Sequence, residues 1–438
     1  MRRVSKIELY EILSLRPVKG NRKNLVEIFT KYFEKNREEM KKDPKVQKPT
    51  GLCFDYDSFV KNGKVHIVFE GGGMKGYAHL GAFVALMEEG LLPKNTHLFF
   101  YGTSAGAVAA VVCSLIAMGK MTPKEAYEKF SIHPAYLVFF YNFPFPLVYN
   151  PFNGRLIRWR IDSIMKKKNV KNLSELRTTI TTELRDVQRK DCTFLAVFGP
   201  KPFVDVPLQK VDEWRYGKNL SIGKIVQASC SIPGFFTSGV VSNAKLSIIE
   251  SVPPYEQRIP LRKKVLAEPG PPGVVCKYEL KGKGLLSDGG TKANLPLLVA
   301  LSTPRYRKES DIIYAINLEI EKRESRLRGL LNKLQYSNPR SKIIRFIKNT
   351  ADAFIQSLYL LHPRNNLFST AKNNINSMME EIAERGNALC MHGNVVMFTI
   401  RVPNVPLFNP TKAPELILEG YKQTKEQIRE LKKLAGLI

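Results

Sequence analysis

The chain has 438 residues, 44% of them hydrophobic and including 24 Phe and 17 Tyr, enough apolar matter for a sizeable core, which excludes global disorder. Lys and Arg number 68 against 40 Asp and Glu, a formal charge of +28, so the surface suits polyanions, either nucleic acid or anionic lipid headgroups. Six cysteines at 53, 113, 192, 230, 276 and 390 include no C-x-x-C pair, which argues against a zinc site, and the basic clusters at 34–48, 155–171 and 322–348 match no zinc-finger, RNA-recognition or basic-zipper pattern.

Residues 1–48 read as polar and helical, with apolar positions 25, 26, 29, 32 and 33 at helical spacing; they begin basic but carry no apolar secretory core. The charged run 35–51 ends in prolines and a glycine and reads as a linker. KVHIVFE (64–70) is a β-branched, aromatic strand. GGGMKG (71–76) follows, then a helix with apolar residues at 80, 83, 84, 86 and 87. HLFFYG (97–102) is the next strand and AVAAVVCSLIAMG the next helix. Residues 98–118 hold no charge and have the length of a membrane span, but Gly102, Thr103, Ser104 and Gly106 interrupt them where a strand turns into a helix. Strand–helix–strand–helix with short glycine turns predicts a parallel α/β sheet, with both turns at its carboxyl edge, where such folds place ligands.

Beyond this the order loosens. Residues 135–152 are aromatic and proline-broken, with Tyr136, Phe139, Phe140, Tyr141, Phe143, Phe145, Tyr149 and Phe152; they suit core, an acyl groove or a membrane interface. A strand is expected at 192–199, a helix over 222–236 ending at Pro233, and a proline- and glycine-rich insertion or surface loop at 243–275. Strands are expected at 284–290 and 311–320, basic amphipathic helices over 321–385, a last strand at 394–402 and a closing helix at 413–435. Basic amphipathic stretches at 326–334 and 342–349 are candidate lipid contacts.

Three short stretches can carry chemistry. Gly102-Thr103-Ser104-Ala105-Gly106 fits G-x-S-x-G, in which a serine sits on a sharp strand-to-helix turn, at a helix N-terminus that favours developing negative charge. A buried turn of small residues is the plainer alternative. Gly71-Gly72-Gly73-Met74-Lys75-Gly76 fits G-x-G-x-x-G. A dinucleotide site would want an acid about 20 positions on, and Glu88 or Glu89 lies near that distance but in the first helix. An oxyanion hole is the other reading, because no glycine side chain blocks the backbone N–H groups. Among the histidines 66, 79, 97, 133, 362 and 392, none has a motif that marks it as a base, and His79 suits packing or capping. Asp288-Gly289-Gly290 ends an apolar strand and places a carboxylate at the mouth of the sheet, or is simply an Asp-Gly turn.

The order GGGMKG, GTSAG, DGG resembles the patatin-like phospholipase family, as do ASCSIPGFF (228–236) and Asn294-Leu-Pro296, over about residues 65–303. Met74-Lys75 departs mildly from the usual pattern and keeps a basic residue. The resemblance implies a three-layer α/β fold with a mainly parallel central sheet flanked by helices. It divides the chain into a helical N-terminal extension and linker (1–60), a catalytic domain (61–320) and a basic helical C-terminal region (321–438) from which 394–402 can return to the sheet. It implies a Ser104–Asp288 dyad, an oxyanion hole at Gly71, Gly72, Gly73 and Met74, and supporting motif residues Lys75, Gly76, Gly102, Gly106, Gly289 and Gly290. A free Asp, with a pKa of ~3.9, is a poor base toward serine, and burial can raise its basicity. No metal or other cofactor is implied. The expected substrate is a phospholipid or lysophospholipid and the expected surface an anionic membrane rather than a specific nucleic acid. The expected location is cytoplasmic and peripheral to membranes. The added helical regions also resemble bacterial effectors delivered into host cells, some of which need a host protein for activity. An acyltransferase on the same dyad, a binding module on a silent scaffold, and a dinucleotide-dependent oxidoreductase are the competing readings.

Overall fold

The computed structural model describes residues 6–18, 20–42, 55–93, 97–130, 154–186, 193–199, 221–232, 236, 238–242, 245–250, 274–279, 282–303, 306, 310–320, 394–403 and 410–438. The aromatic segment 135–152, the basic stretches within 321–385, and His133, His362 and His392 lie outside them.

Among the described residues, ten strands form one sheet. β1 (Val65–Phe69), β2 (Leu98–Thr103), β3 (Thr178–Asp186), β4 (Thr193–Phe198), β5 (Gly239–Ser242), β6 (Lys245–Glu250), β7 (Val274–Glu279), β8 (Lys283–Asp288), β9 (Ile312–Ile320) and β10 (Val395–Val402) are its members. The order β10-β9-β1-β2-β3 is parallel throughout, and β4, β6 and β7 continue it antiparallel. Strands 245–250 and 274–279 therefore lie where the proline and glycine content predicts a loop; the breakers cluster in 251–273, outside the described residues.

Alternation along the strands explains the layers. In β9, Ile312, Tyr314, Ile316 and Leu318 face one buried cluster, while Ile313 and Ala315 face another. Such two-sided burial is what a parallel block covered on both faces requires. The larger cluster holds α1 (Lys6–Leu13), α2 (Arg22–Lys42), α3 (Tyr56–Asn62), α4 (Tyr77–Glu88), α5 (Ala105–Ala117) and α12 (Ala413–Leu434). α6 (Pro123–Phe130), α7 (Arg155–Lys167), α8 (Leu173–Leu176) and α9 (Ile222–Ser229) extend it. The other face is covered by α10 (Gly290–Ala293) and α11 (Leu297–Leu301). Residues 98–118 form β2, a turn and α5, and no helix among the described residues is long and apolar enough to cross a membrane. α9 stops at Ser229, short of Pro233, and the chain then turns so that the Ser231 carbonyl accepts the Asp288 N–H at 3.0 Å.

β3 organises the site, and hydrophobic periodicity does not announce it: TTITTELRD buries Thr178, Thr179, Thr181 and Thr182 alongside Ile180 and Leu184. β2 pairs with residues 178–181 of β3, and β8 with residues 182–186. β4 spans both stretches on the opposite edge, so β2 and β8 lie end to end along one edge. β2 runs parallel to β3 and β8 antiparallel, so their carboxyl ends meet: Thr103 stands opposite Thr181, and Asp288 opposite Thr182.

Candidate active site

Ser104 is the single residue between β2 and α5, with φ 54° and ψ −123°. A side chain rarely adopts this conformation, which stores on the order of 1–3 kcal/mol of strain, and it persists only where its surroundings hold it. Here the Ser104 N–H donates to Ser229 Oγ at 2.9 Å, and that hydroxyl donates to the Thr181 carbonyl at 2.6 Å. The Ser104 side chain makes no capping bond to α5 and is 6% exposed. The small residues around it have a steric cause. A Cβ on Gly102 would lie 2.1 Å from the Gly106 carbonyl oxygen, and one on Gly106 would lie 2.3 Å from that of Phe69.

Asp288 reaches Ser104 from the end of β8. It is 4% exposed, accepts the Gly290 N–H at 2.7 Å and stands next to the Ser104 side chain. Burial raises its pKa to about 7; the Ser104 side chain and the Gly290 N–H oppose that rise, and Glu183 on β3 adds to it by repulsion. Gly289 packs on the Thr181 carbonyl, where a Cβ would sit 2.7 Å from the oxygen.

The glycine stretch begins after Glu70 and forms a 3-10 turn over Gly73–Gly76 that leads straight into α4. Gly73 has φ +57°, the left-handed region that glycine tolerates. The first N–H groups of such a turn have no carbonyl within it to bond, so Gly72, Gly73 and Met74 present backbone donors, whereas the Gly71 N–H, expected among them, is taken by the Asn294 carbonyl. Gly76 lets this turn touch the start of α5, since a Cβ there would lie 2.7 Å from that of Ala105. Gly73, Met74, Gly76 and Ser104 share a largely apolar pocket with α5, α6 and α7, walled by residues such as Val108, Phe130 and Ile157. The buried thiols of Cys113 and Cys230 line it too, both pushed by burial well above the usual thiol range.

The remaining candidates have other tasks. His79 is fully buried, and its Nε2–H donates to the Glu70 carbonyl at 2.7 Å. Burial lowers its pKa to about 4, which leaves it neutral. His66 is buried against Tyr101 and Asp311 at the opposite, amino-terminal end of β1. Glu88 and Glu89 pair with Lys425 and Lys432 of α12 at the far end of α4, away from the glycine turn, so they are not placed to hold a ribose. Sequence reasoning did not single out Ser229, Thr181 or Glu70. Ser229 lies inside the resembling stretch 228–236, and Glu70 directly precedes the glycines, but their contacts join residues far apart in the chain.

A family model described as patatin-like phospholipase matches residues 67–301, more than half of the chain. A comparison with solved structures matches VipD from Legionella pneumophila, 13% identical with a TM-score of 0.39, covering 84% of this chain and 67% of that one. Human GIVD cytosolic phospholipase A2 is 11% identical with a TM-score of 0.33, the match covering 72% of this chain and 47% of that one. No curated protein matches the chain in sequence.

Proposed function

The chain belongs to the patatin-like phospholipase family, and on that premise we propose that it is a lipid acyl hydrolase of phospholipase A or lysophospholipase type, working through Ser104 and Asp288. The observation that carries the assignment is the meeting, at the joined carboxyl ends of β2 and β8, of a serine held at φ 54° and a buried carboxylate raised to about 7. An aspartate with that pKa is a far better proton acceptor than a free one; it is about half ionised at pH 7 and largely ionised at pH 8. Ser104 Oγ attacks the ester carbonyl while its proton passes to Asp288. The N–H groups of Gly72, Gly73 and Met74 receive the oxyanion. Asp288 returns the proton to the departing alcohol, leaving an acyl-enzyme, and then takes a proton from the water that releases the fatty acid. The apolar pocket suits the acyl chain. The charge of +28, and the exposed Arg155, Arg158 and Trp159 on α7, which also contributes Leu156 and Ile157 to the pocket, suit an anionic membrane surface. An activating protein partner and delivery as an effector belong to the same proposal.

Fatty-acid release from mixed anionic phospholipid vesicles tests it, with and without cytosolic extract. Ser104→Ala and Asp288→Asn are each expected to lower release by about 10³-fold or more. Release that survives in Ser104→Ala would remove the nucleophile. No release from the wild type under either condition, with vesicle binding intact, would favour a binding module.

A further inference from the structure

Two buried groups beside the dyad take no part in the steps above. Glu70 is 3% exposed, and its carboxylate accepts twice, from Asn294 Nδ2–H at 2.6 Å and from the Leu318 backbone N–H. Asn294, also buried, holds the glycine turn in return. Its carbonyl accepts the Gly71 N–H at 2.9 Å, and its Nδ2 lies 3.4 Å from the Gly71 carbonyl oxygen. The last polar atom of its side chain, Oδ1, has no hydrogen-bond partner among the described residues. Its position is specific. It lies 2.5 Å from where a Cβ on Gly71 would sit and 3.0 Å from where one on Gly290 would sit. The first of those points is 3.2 Å from Ser104 Cβ, and the second is 2.9 Å from Asp288 Oδ1. An unpaired acceptor is therefore lodged between the oxyanion turn and the aspartate turn, next to both members of the dyad.

An Asn carboxamide has two orientations, and here the group opposite it decides. A carboxylate offers acceptors only, so it can hold only the NH2 end of Asn294. Oδ1 must then face the niche between Gly71 and Gly290. We propose that Glu70 and Asn294 are a positioning pair for the dyad, in which the Glu70 carboxylate keeps the acceptor end of the Asn294 side chain in that niche, fixes the spacing of the two turns and keeps a hydrogen-bond donor away from Asp288. The proposal rests on the hydrolase reading above. A donor in the niche would stabilise the Asp288 anion and make it a weaker base, whereas Oδ1 leaves it a stronger one. Protonating Glu70 reverses the arrangement, because the carboxyl O–H then donates to Oδ1 and the NH2 group turns to the niche. Burial raises the Glu70 pKa to about 7 against the opposing effects of Leu318, Asn294 and Lys75, so both states fall in an ordinary working range. Among the described residues, the other ionisable groups bearing on this pair are Lys75 in the glycine turn and the neutral His79 of α4. Those bearing on Asp288 are Glu183 of β3 and the Cys230 thiol.

Glu70→Gln tests the pair. Its one carbonyl oxygen is needed by the Leu318 N–H, so its NH2 faces Asn294 and forces that carboxamide around. With a soluble short-chain ester, kcat is expected to fall about 10-fold or more with KM within about two-fold. The acid limb of the kcat/KM profile is expected to move to lower pH as Asp288 weakens as a base. Glu70→Asp restores two acceptors and is expected to recover most of kcat, a pattern a merely structural role would not give. Orientation is read apart from catalysis, from side-chain 15N resonances of Asn-labelled protein, with Asn294 assigned by its loss in Asn294→Leu. Its NH2 signal is expected to shift in Glu70→Gln and as pH crosses 7. Unchanged kcat and acid limb in Glu70→Gln, or an Asn294 signal indifferent to that substitution, overturns the pair. A wild type that hydrolyses no ester under any condition overturns the hydrolase reading instead, and the resonance alone then decides the orientation.

Discussion

At the scale of single residues, the site is built from groups the chain would be more stable without. Asp288 and Glu70 both have pKa values raised by burial to about 7, from ordinary values of 3.8 and 4.5. A carboxyl whose folded pKa is raised lends its stability below the unfolded pKa, near pH 4, and loses it as pH rises through about 7. Above that pH each must be held as a buried anion, at a cost on the order of a few kcal/mol. Asp288→Asn removes one such anion while keeping the shape and the acceptor for the Gly290 N–H. Asp288→Asn is therefore expected to melt above the wild type at pH 8, with the gain shrinking toward pH 5, and to be inactive. Calorimetry at the two pH values checks this; a lower melting temperature at pH 8 would contradict the burial account.

At the scale of elements, the helix that carries the glycine turn is held from behind by α12. The two helices meet backbone to backbone. A Cβ on Gly81 would lie 1.8 Å from the Ile417 carbonyl oxygen, and one on Gly420 would lie 2.0 Å from that of Ala78. Leu416, Ile417 and Ile428 are fully buried at this seam, and Tyr421 and Lys425 close its edge on Glu88. Those edge pairs are partly exposed, so the packing matters more than the charges. Gly420→Ala must push the helices apart, and is expected to cost about 1–3 kcal/mol of stability. Because α4 starts at the glycine turn beside Ser104, the same change is expected, on the proposed mechanism, to lower kcat toward a soluble ester. Melting temperature and ester hydrolysis measured together check this; a variant with native stability and rate would mean that the seam is loose.

At the scale of the whole molecule, charge and architecture act on different steps. The excess of +28 does nothing for Ser104 and Asp288, which are buried, but it acts on approach to a negatively charged surface. Surface attraction of this kind is screened over about 8 Å at physiological ionic strength. Raising salt is therefore expected to weaken binding to, and hydrolysis of, anionic vesicles several-fold, while leaving the rate on a soluble ester unchanged. Parallel assays on the two substrates across a salt series check this. Equal salt dependence on both would locate the effect in the site rather than at the surface.

Much of the site is legible in the chain because its constraints are local. A serine on a strand-to-helix bend needs small neighbours within two positions, and Gly102 and Gly106 supply them. The tight turn that starts α4 needs a residue that tolerates positive φ, and Gly73 does. The parallel core was legible for a similar reason, since strands such as Val65–Phe69 carry apolar residues on both faces. The meeting of these pieces was not legible. It depends on β3, whose buried threonines are satisfied by distant partners, as Thr103 and Thr181 are by each other and Ser229 by the Thr181 carbonyl. It also depends on Glu70 and Asn294, 224 positions apart. Side-chain chemistry within a few residues determines a turn. Register between strands and the desolvation that makes Asp288 basic exist only once the sheet has closed around them.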